Sequence, residues 1–230
     1  MESFSNKTNC FQCDELSRCF ARNLVNQEPF FALQKIHVRY KKGETIVKEG
    51  SNVSRIFFVV DGLIKEYMES RDKNIIIKLS KSKDFIGLTS LYGEDTYCFT
   101  ATAMKDTLLC SIDPADIKSL MTQCCVFSRE VAKWYCENYN AMLCKCLNLG
   151  LRQLNGKLAN VLLYLNSDEF KEFDIFSSIS RKDLAELSGM SLESVVRVLA
   201  EFDHDQIIEL KGKKIYIKDL ERLKRINQNG

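Results

Sequence analysis

The residues whose types and spacing could do chemistry are first of all ten cysteines. Cys10, Cys13 and Cys19 form a C-x2-C-x5-C group near the N-terminus, and Cys110 lies far downstream. Four thiolates are the usual donor set of a [4Fe–4S] cluster, often supplied as a short local group plus one distant cysteine. Four cysteines also make a structural zinc set. A local group of thiols can serve as a metal-free redox switch, and such an arm can also be a remnant that binds nothing. Spacing alone admits all four readings. In a cytosolic chain a disulfide framework is not expected, because cellular thiols keep cysteines reduced. The others, Cys98, Cys124, Cys125, Cys136, Cys144 and Cys146, are expected to be buried, since cysteine is among the most buried residue types.

A second constellation runs from Ser178 to Leu199 and reads SISRKDLAELSGMSLESVVRVL. Ser180, with Asp183 three residues on, suits a helix N-cap with a favourable first-turn charge. Ala185 is small where a second helix must cross closely, and Gly189 supplies a left-handed turn after the first helix. Ser191 then caps a second helix that Val195, Val198 and Leu199 anchor to a core. Its outward face carries Leu192, Glu193, Val196 and Arg197. These are the positions that a recognition helix presents to base edges. Arg197 can donate two hydrogen bonds to guanine O6 and N7, Glu193 can accept from cytosine N4, and Val196 offers a contact for a thymine methyl. Beyond it, Ile207–Leu210 and Lys214–Ile217 read as a strand pair around Gly212. Lys211, Lys213 and Lys214, together with the cap Ser191, are placed to hold DNA phosphate.

Charge agrees only locally. The chain carries a formal net charge of +2, yet seven basic residues face two acidic ones between Lys211 and Arg225. An enzyme reading has little to build on. His37 and His204 are the two histidines, neither sits beside a nucleophile motif, and no phosphate-binding loop or dinucleotide fingerprint is present. No apolar run approaches the roughly 20 residues that span a bilayer. The polar N-terminus is wrong for a secretory signal, so a cytoplasmic protein is expected, with no membrane partner.

Pattern divides the chain into three regions. Residues 1–112 begin with the cysteine arm and a helical stretch at Cys13–Leu33. Short β-type runs follow at Glu44–Lys48, Ile56–Val60, Leu63–Met68, Ile75–Leu79 and Leu108–Ile112, separated by turn chemistry. Many short strands at near-regular spacing predict an antiparallel barrel or roll. Residues 113–150 change period: after Asp113-Pro114 comes a short helix to about Gln123 and then a long one over Cys125–Leu149. Val131, Tyr135, Tyr139, Met142, Cys146 and Leu149 recur at three- and four-residue steps along it, with Leu143 and Leu147 widening the stripe. A helix of that length, about 37 Å at 1.5 Å per residue, is expected to pair with a second copy and make a homodimer. Residues 151–230 hold the helix pair and the terminal hairpin. The fold class is therefore α+β.

This order of roll, long helix and winged helix-turn-helix resembles the CRP/FNR family of transcription regulators over nearly the whole chain. Lys42-Gly43-Glu44 through Glu49-Gly50, with Ile56-Phe-Phe-Val-Val-Asp-Gly-Leu-Ile64, resembles the family's cyclic-nucleotide-type, jelly-roll β-roll. Gly189-Met-Ser-Leu-Glu-Ser-Val-Val-Arg197 resembles its recognition helix. The resemblance implies sequence-specific binding of double-stranded DNA at a palindromic site, contact with RNA polymerase, and reading of a TGA-like half-site by Glu193 and Arg197. Val196 stands where FNR-type members have serine, and Leu192 where CRP has arginine, so the resemblance does not carry over the flanking bases. The family's cyclic-nucleotide pocket needs a glutamate after the Phe-Ile-Gly turn and a later Arg-Ser pair. Here Leu88-Thr89 follows Phe85-Ile86-Gly87, and Asp95–Thr100 carries no arginine, so cAMP is not expected. The cysteine pattern is closest to the oxygen-sensing FNR members, where the fourth cysteine lies in a strand segment similar to Leu108-Leu109-Cys110-Ser111-Ile112. That similarity implies a [4Fe–4S] cluster on Cys10, Cys13, Cys19 and Cys110 that oxygen or nitric oxide dismantles, gating the DNA-competent dimer.

Overall fold

The computed structural model describes residues 35–230, apart from 72 and 94. Cys10, Cys13, Cys19 and the helix expected at Cys13–Leu33 lie outside the described residues. Two compact units emerge. Among the described residues, one takes 35–139 except for 70–76, and the other takes that segment and 140–230.

The first unit contains two four-stranded sheets. One has the order β1 (Lys35–Tyr40), β8 (Thr107–Ile112), β3 (Ile56–Asp61), β6 (Phe85–Ile86); the other has β2 (Thr45–Val47), β7 (Thr100–Ala103), β4 (Leu63–Met68), β5 (Ile75–Lys81). Strand β8 runs antiparallel between β1 and β3. The unbroken apolar run Ile56–Val60 follows from burial on both faces, where alternate side chains point opposite ways. Phe57 and Val59 join Ile64, Phe99 and Leu109 in one cluster, while Ile56, Phe58 and Val60 join Cys110 and Ile112 in another. The second cluster is closed by Ile117 and Leu120 of α1 (Pro114–Gln123) and by Phe127 and Val131 of α2 (Cys125–Leu151). Asp113 caps α1 by accepting from the Ala115 N–H at 2.9 Å, with Pro114 in the first turn.

Three strands escaped sequence reading for physical reasons. β7 is Thr-Ala-Thr-Ala, which buries well but carries little hydrophobic signal. β6 has two residues, too few for a period. β1 mixes Ile36, Val38 and Tyr40 with charged neighbours, and Lys35 at its start is 2% exposed.

One buried carboxyl stands out in this unit. Glu66 on β4 is 5% exposed and accepts a hydrogen bond from the Ser80 hydroxyl on β5. Burial raises its pKa to about 7, against the pull of Lys78 and the Ser80 hydrogen bond. Lys78 itself is committed to Asp84 at 2.7 Å and to Asn138 Oδ1 at 2.8 Å. A carboxyl held protonated in the fold loses its proton on unfolding at any pH between its ordinary value and about 7. Unfolding is therefore favoured as pH rises through that window. Glu66→Gln should flatten this slope, matching wild type at about pH 4 and exceeding it at about pH 8 by up to ~3 kcal/mol, the equivalent of the full shift. Denaturant unfolding of both proteins at the two pH values measures the difference.

The second unit is built on α3 (Leu154–Leu165), whose Leu158, Val161, Leu162 and Leu165 are buried. A short turn, α4 (Ile175–Ser178), leads to α5 (Arg181–Ser188) and α6 (Leu192–His204), followed by the hairpin β9 (Ile208–Lys211) and β10 (Lys214–Ile217) and by α7 (Leu220–Asn229). Ser180 and Asp183 form a reciprocal capping box at the start of α5. Gly189 ends that helix at φ 66°, in the left-handed region, and a Cβ there would meet Leu149 Cδ2 at 2.8 Å. Both conformation and space thus ask for glycine. α7 was not expected from sequence. Its buried Leu223 is one apolar position in a turn otherwise occupied by charge, so composition masks its period. Among the described residues no helix is long and apolar enough to cross a membrane.

Candidate nucleic-acid interface

Helix α6 shows two faces. Val195, Val198, Leu199 and Phe202 are buried, all at 2% exposure or less. Leu192 and Val196, at 47% and 51% exposed, point away from that core, together with exposed Glu193 and Arg197. Ser191 caps the helix by accepting from the Ser194 N–H at 3.2 Å. The Glu193 carboxyl is pulled below its usual range by its own backbone N–H and then by the Ser191 hydroxyl, so it is an anion and a pure acceptor at neutral pH. Arg197 donates to Glu201 Oε1 at 3.1 Å, one helical turn on. Sequence reading missed Glu201 as a partner, although the four-residue spacing is the signal for it. His204 ends the helix with its side chain 90% exposed.

The hairpin is tight. Lys214 pairs with Lys211 across Gly212 and Lys213, and Gly212 takes φ 60°. Lys211 is shared with Glu209 at 3.2 Å, and Lys214 approaches Asp174 at 3.9 Å. Among the described residues Lys213 makes no ion pair, so the tip of the wing carries its least compensated charge. Lys218, at 2.8 Å, and Lys211 hold Glu209 below the usual carboxylate range. The basic run between Lys211 and Arg225 is therefore partly neutralised by residues that the sequence places outside it.

The apolar stripe expected along α2 is divided by the structure. Val131 is 2% exposed and belongs to the core of the first unit. Tyr135 is half-buried there, donating its hydroxyl to the Leu88 carbonyl at 2.6 Å. Leu149 is half-buried against Gly189. These three are committed within the chain. Tyr139, Met142, Leu143 and Leu147 are 66%, 39%, 46% and 60% exposed, and Cys146 is exposed beside them. A stripe read from period alone cannot distinguish a side chain that packs at home from one left free, and the core takes up the early part of the helix.

The expected burial of six cysteines is corrected. Cys124 is buried, but Cys98, Cys125, Cys136, Cys144 and Cys146 are exposed. Four of these lie on α2, Cys125 and Cys136 next to its packed residues Val126 and Tyr135, and Cys144 and Cys146 past them. Cys110 is 3% exposed in the middle of β8, opposite His37 and Phe58. Among the described residues no three metal-ligating side chains converge, and Cys110 is the member of the expected ligand set that lies within them.

Comparison with known proteins fits this architecture. Residues 37–124 match the Cyclic nucleotide-binding domain family, and residues 156–226 match the Crp-like helix-turn-helix domain family. The CRP-like cAMP-activated global transcriptional regulator of Mycobacterium tuberculosis is 23% identical over 193 residues, 82% of this chain and 86% of that protein. The transcriptional activator protein Anr of Pseudomonas protegens is 23% identical over 222 residues, 93% and 90% of the two chains. Among solved structures, FixK2 from Bradyrhizobium japonicum superposes with a TM-score of 0.71 at 20% identity, covering 84% of this chain and 97% of that one. With a nucleotide-binding-type roll ahead of a Crp-like helix-turn-helix, and with likeness to such regulators running nearly end to end, the chain belongs to the CRP/FNR family of DNA-binding transcription regulators rather than to any family of enzymes.

Proposed function

We propose that this regulator binds a palindromic operator as a homodimer, reads each half-site with α6, and is gated by redox through its cysteines. The observation that carries the reading is the exposed face of α6, where an ionised acceptor (Glu193) and a forked donor (Arg197) stand one turn apart on an element anchored by four buried apolar residues. Arg197 would donate to guanine O6 and N7, and Glu193 would accept from cytosine N4. Leu192 and Val196 supply apolar contact at the flanking pairs. Ser191, Lys211, Lys213 and Lys214 hold phosphate, fixing register without reading sequence. Duplexes recovered by the full-length protein from a random pool should carry inverted half-sites whose centres lie about one helical turn apart. Recovery of unrelated sequences would overturn the reading.

For the sensor, the residues favour an iron–sulfur cluster on Cys10, Cys13, Cys19 and Cys110. A cyclic nucleotide, which the name of the Mycobacterium tuberculosis relative brings to mind, would lack a cationic partner, because residues 85–100 contain no lysine or arginine. Cys110 fits a ligand role chemically. A thiolate is the ligand that an iron–sulfur cluster takes, and the position of Cys110 on a strand between two others holds its sulfur still. The cluster would supply iron–sulfide bonds that oxygen or nitric oxide can break. The cysteines would hold the N-terminal arm against the roll while those bonds last. Anaerobically purified protein should show visible absorbance that bleaches in air, with iron and sulfide in stoichiometric amount, and Cys110→Ser should lose that absorbance. Colourless anaerobic protein carrying stoichiometric zinc would overturn the cluster.

A further inference from the structure

The second unit contains a groove that borders Arg197 and runs on between α3 and the last helix. Leu154 and Asn155 of α3, Arg197 of α6, and Arg222, Arg225 and Ile226 of α7 line it. Two of its three arginines are already committed. Arg197 is paired with Glu201 at 3.1 Å, and Arg222 is forked onto the Asp205 backbone carbonyl and carboxylate, each at 2.9 Å. Arg225 is exposed and makes no ion pair or hydrogen bond among the described residues. It is the groove's uncompensated cation. The floor reaches the first turn of α3, where Gln153 provides no side-chain cap, so the partial positive charge of that turn adds to the same field.

The placement of α7 is built rather than incidental. Gly156 in α3 leaves room for the backbone of Gly230, which a Cβ at that position would meet at 2.6 Å. The Arg222 fork ties the other end of α7 to the end of α6. Leu223, fully buried, seats the helix between these two points. Arg225 is therefore carried on a helix fixed at both ends, on the same groove as a residue assigned to base reading.

From this we infer that Arg225 is a DNA phosphate contact and that α7 forms part of the nucleic-acid interface, extending it beyond the recognition helix and the wing. A B-DNA major groove is about 12 Å wide. A guanidinium lining the same groove as a base-reading arginine lies within reach of the strand that borders it. Phosphate suits the site because it asks for positive charge, which Arg225 supplies there. An acidic protein surface would satisfy the charge but has no reason to adjoin Arg197. The inference rests on the assignment of α6 to the major groove, and the experiment below separates the two.

The measurement is affinity of the full-length protein for a duplex selected with wild type, and for a random duplex of equal length, across a range of salt. Arg225→Ala should weaken both by a similar factor, about fivefold to tenfold, and reduce the slope of log affinity against log salt by about 0.9 for each phosphate lost. Arg225→Lys should restore most of the affinity, because a phosphate accepts a point charge. Ethylation of one phosphate bordering each half-site should weaken wild type by a similar factor and leave Arg225→Ala indifferent. An unchanged salt slope and ethylation pattern for Arg225→Ala would overturn the inference. So would unchanged DNA affinity combined with lost transcription in a reconstituted system, which would assign the groove to a protein partner. Failure of the base-reading assignment would show differently, as an equal loss on selected and random DNA for Arg197→Ala.

Discussion

Arg197→Ala should abolish discrimination between the operator and random DNA at one base pair of each half-site, leaving the fold and the weak general affinity in place. The side chain is 60% exposed, and the interaction it makes within the chain is an ion pair to a partly exposed Glu201. Exposed pairs at this spacing contribute about 0.3–0.5 kcal/mol, so its removal costs little stability. On DNA the same guanidinium would make two parallel hydrogen bonds to one guanine. A bidentate contact of this kind discriminates by about 1–3 kcal/mol. A palindromic operator would present it twice, so operator affinity should fall by roughly tens to tens of thousands of fold while random-duplex affinity changes far less. Lys213→Ala supplies the contrast. It removes charge from the tip of the wing and should weaken both duplexes alike with a shallower salt dependence. Competition binding with single-base operator variants measures the result, and a uniform loss for Arg197→Ala would show that it holds phosphate instead.

Why this helix could be found from sequence, and α7 could not, has a physical basis. The boundaries of α5 and α6 are set by local chemistry: a capping box at Ser180 and Asp183, a left-handed glycine at 189, and a second cap at Ser191. Each acts within a few residues, so each is written in the sequence beside the element it shapes. The partner of Arg222 is of another kind, whereas that of Arg197 is local. Glu201 lies one turn away and was legible in principle. Asp205 and Arg222 are 17 positions apart, brought together by packing alone. The double-faced core of β3 was legible as an unbroken apolar run. The strands β6 and β7 were not, because two residues carry no period and alanine and threonine carry little hydrophobic contrast. For the six cysteines outside the candidate ligand set, residue type suggested burial. The structure buries Cys110 and Cys124, which face a core, and exposes Cys98 and the four on α2, none of which belongs to that core.

The later part of α2 leads to the other large expected effect. Leu143 and Leu147 are four residues apart on one face, 46% and 60% exposed, with Met142 and Cys146 beside them. Exposed leucines at helical spacing have an energetic reason to meet a copy of themselves, since fully burying each contributes about 1.5–3 kcal/mol. In a two-fold pair of parallel helices each such residue faces the same residue of the partner subunit. Leu143→Glu combined with Leu147→Glu would then lose that burial in both subunits and set like charges against one another. The double variant should sediment as a monomer at concentrations where wild type is a dimer. Its fold should survive, because neither leucine belongs to a buried cluster and Val131, Tyr135 and Leu149 keep their contacts within the chain. Operator affinity should fall by about a hundredfold or more, because two half-sites no longer bind as one unit and the gain from linked binding is of that order. A single half-site duplex should be bound no worse than by an isolated wild-type subunit. Sedimentation and half-site titration together decide the matter. A dimer that persists with both glutamates present would move the interface off this face of α2.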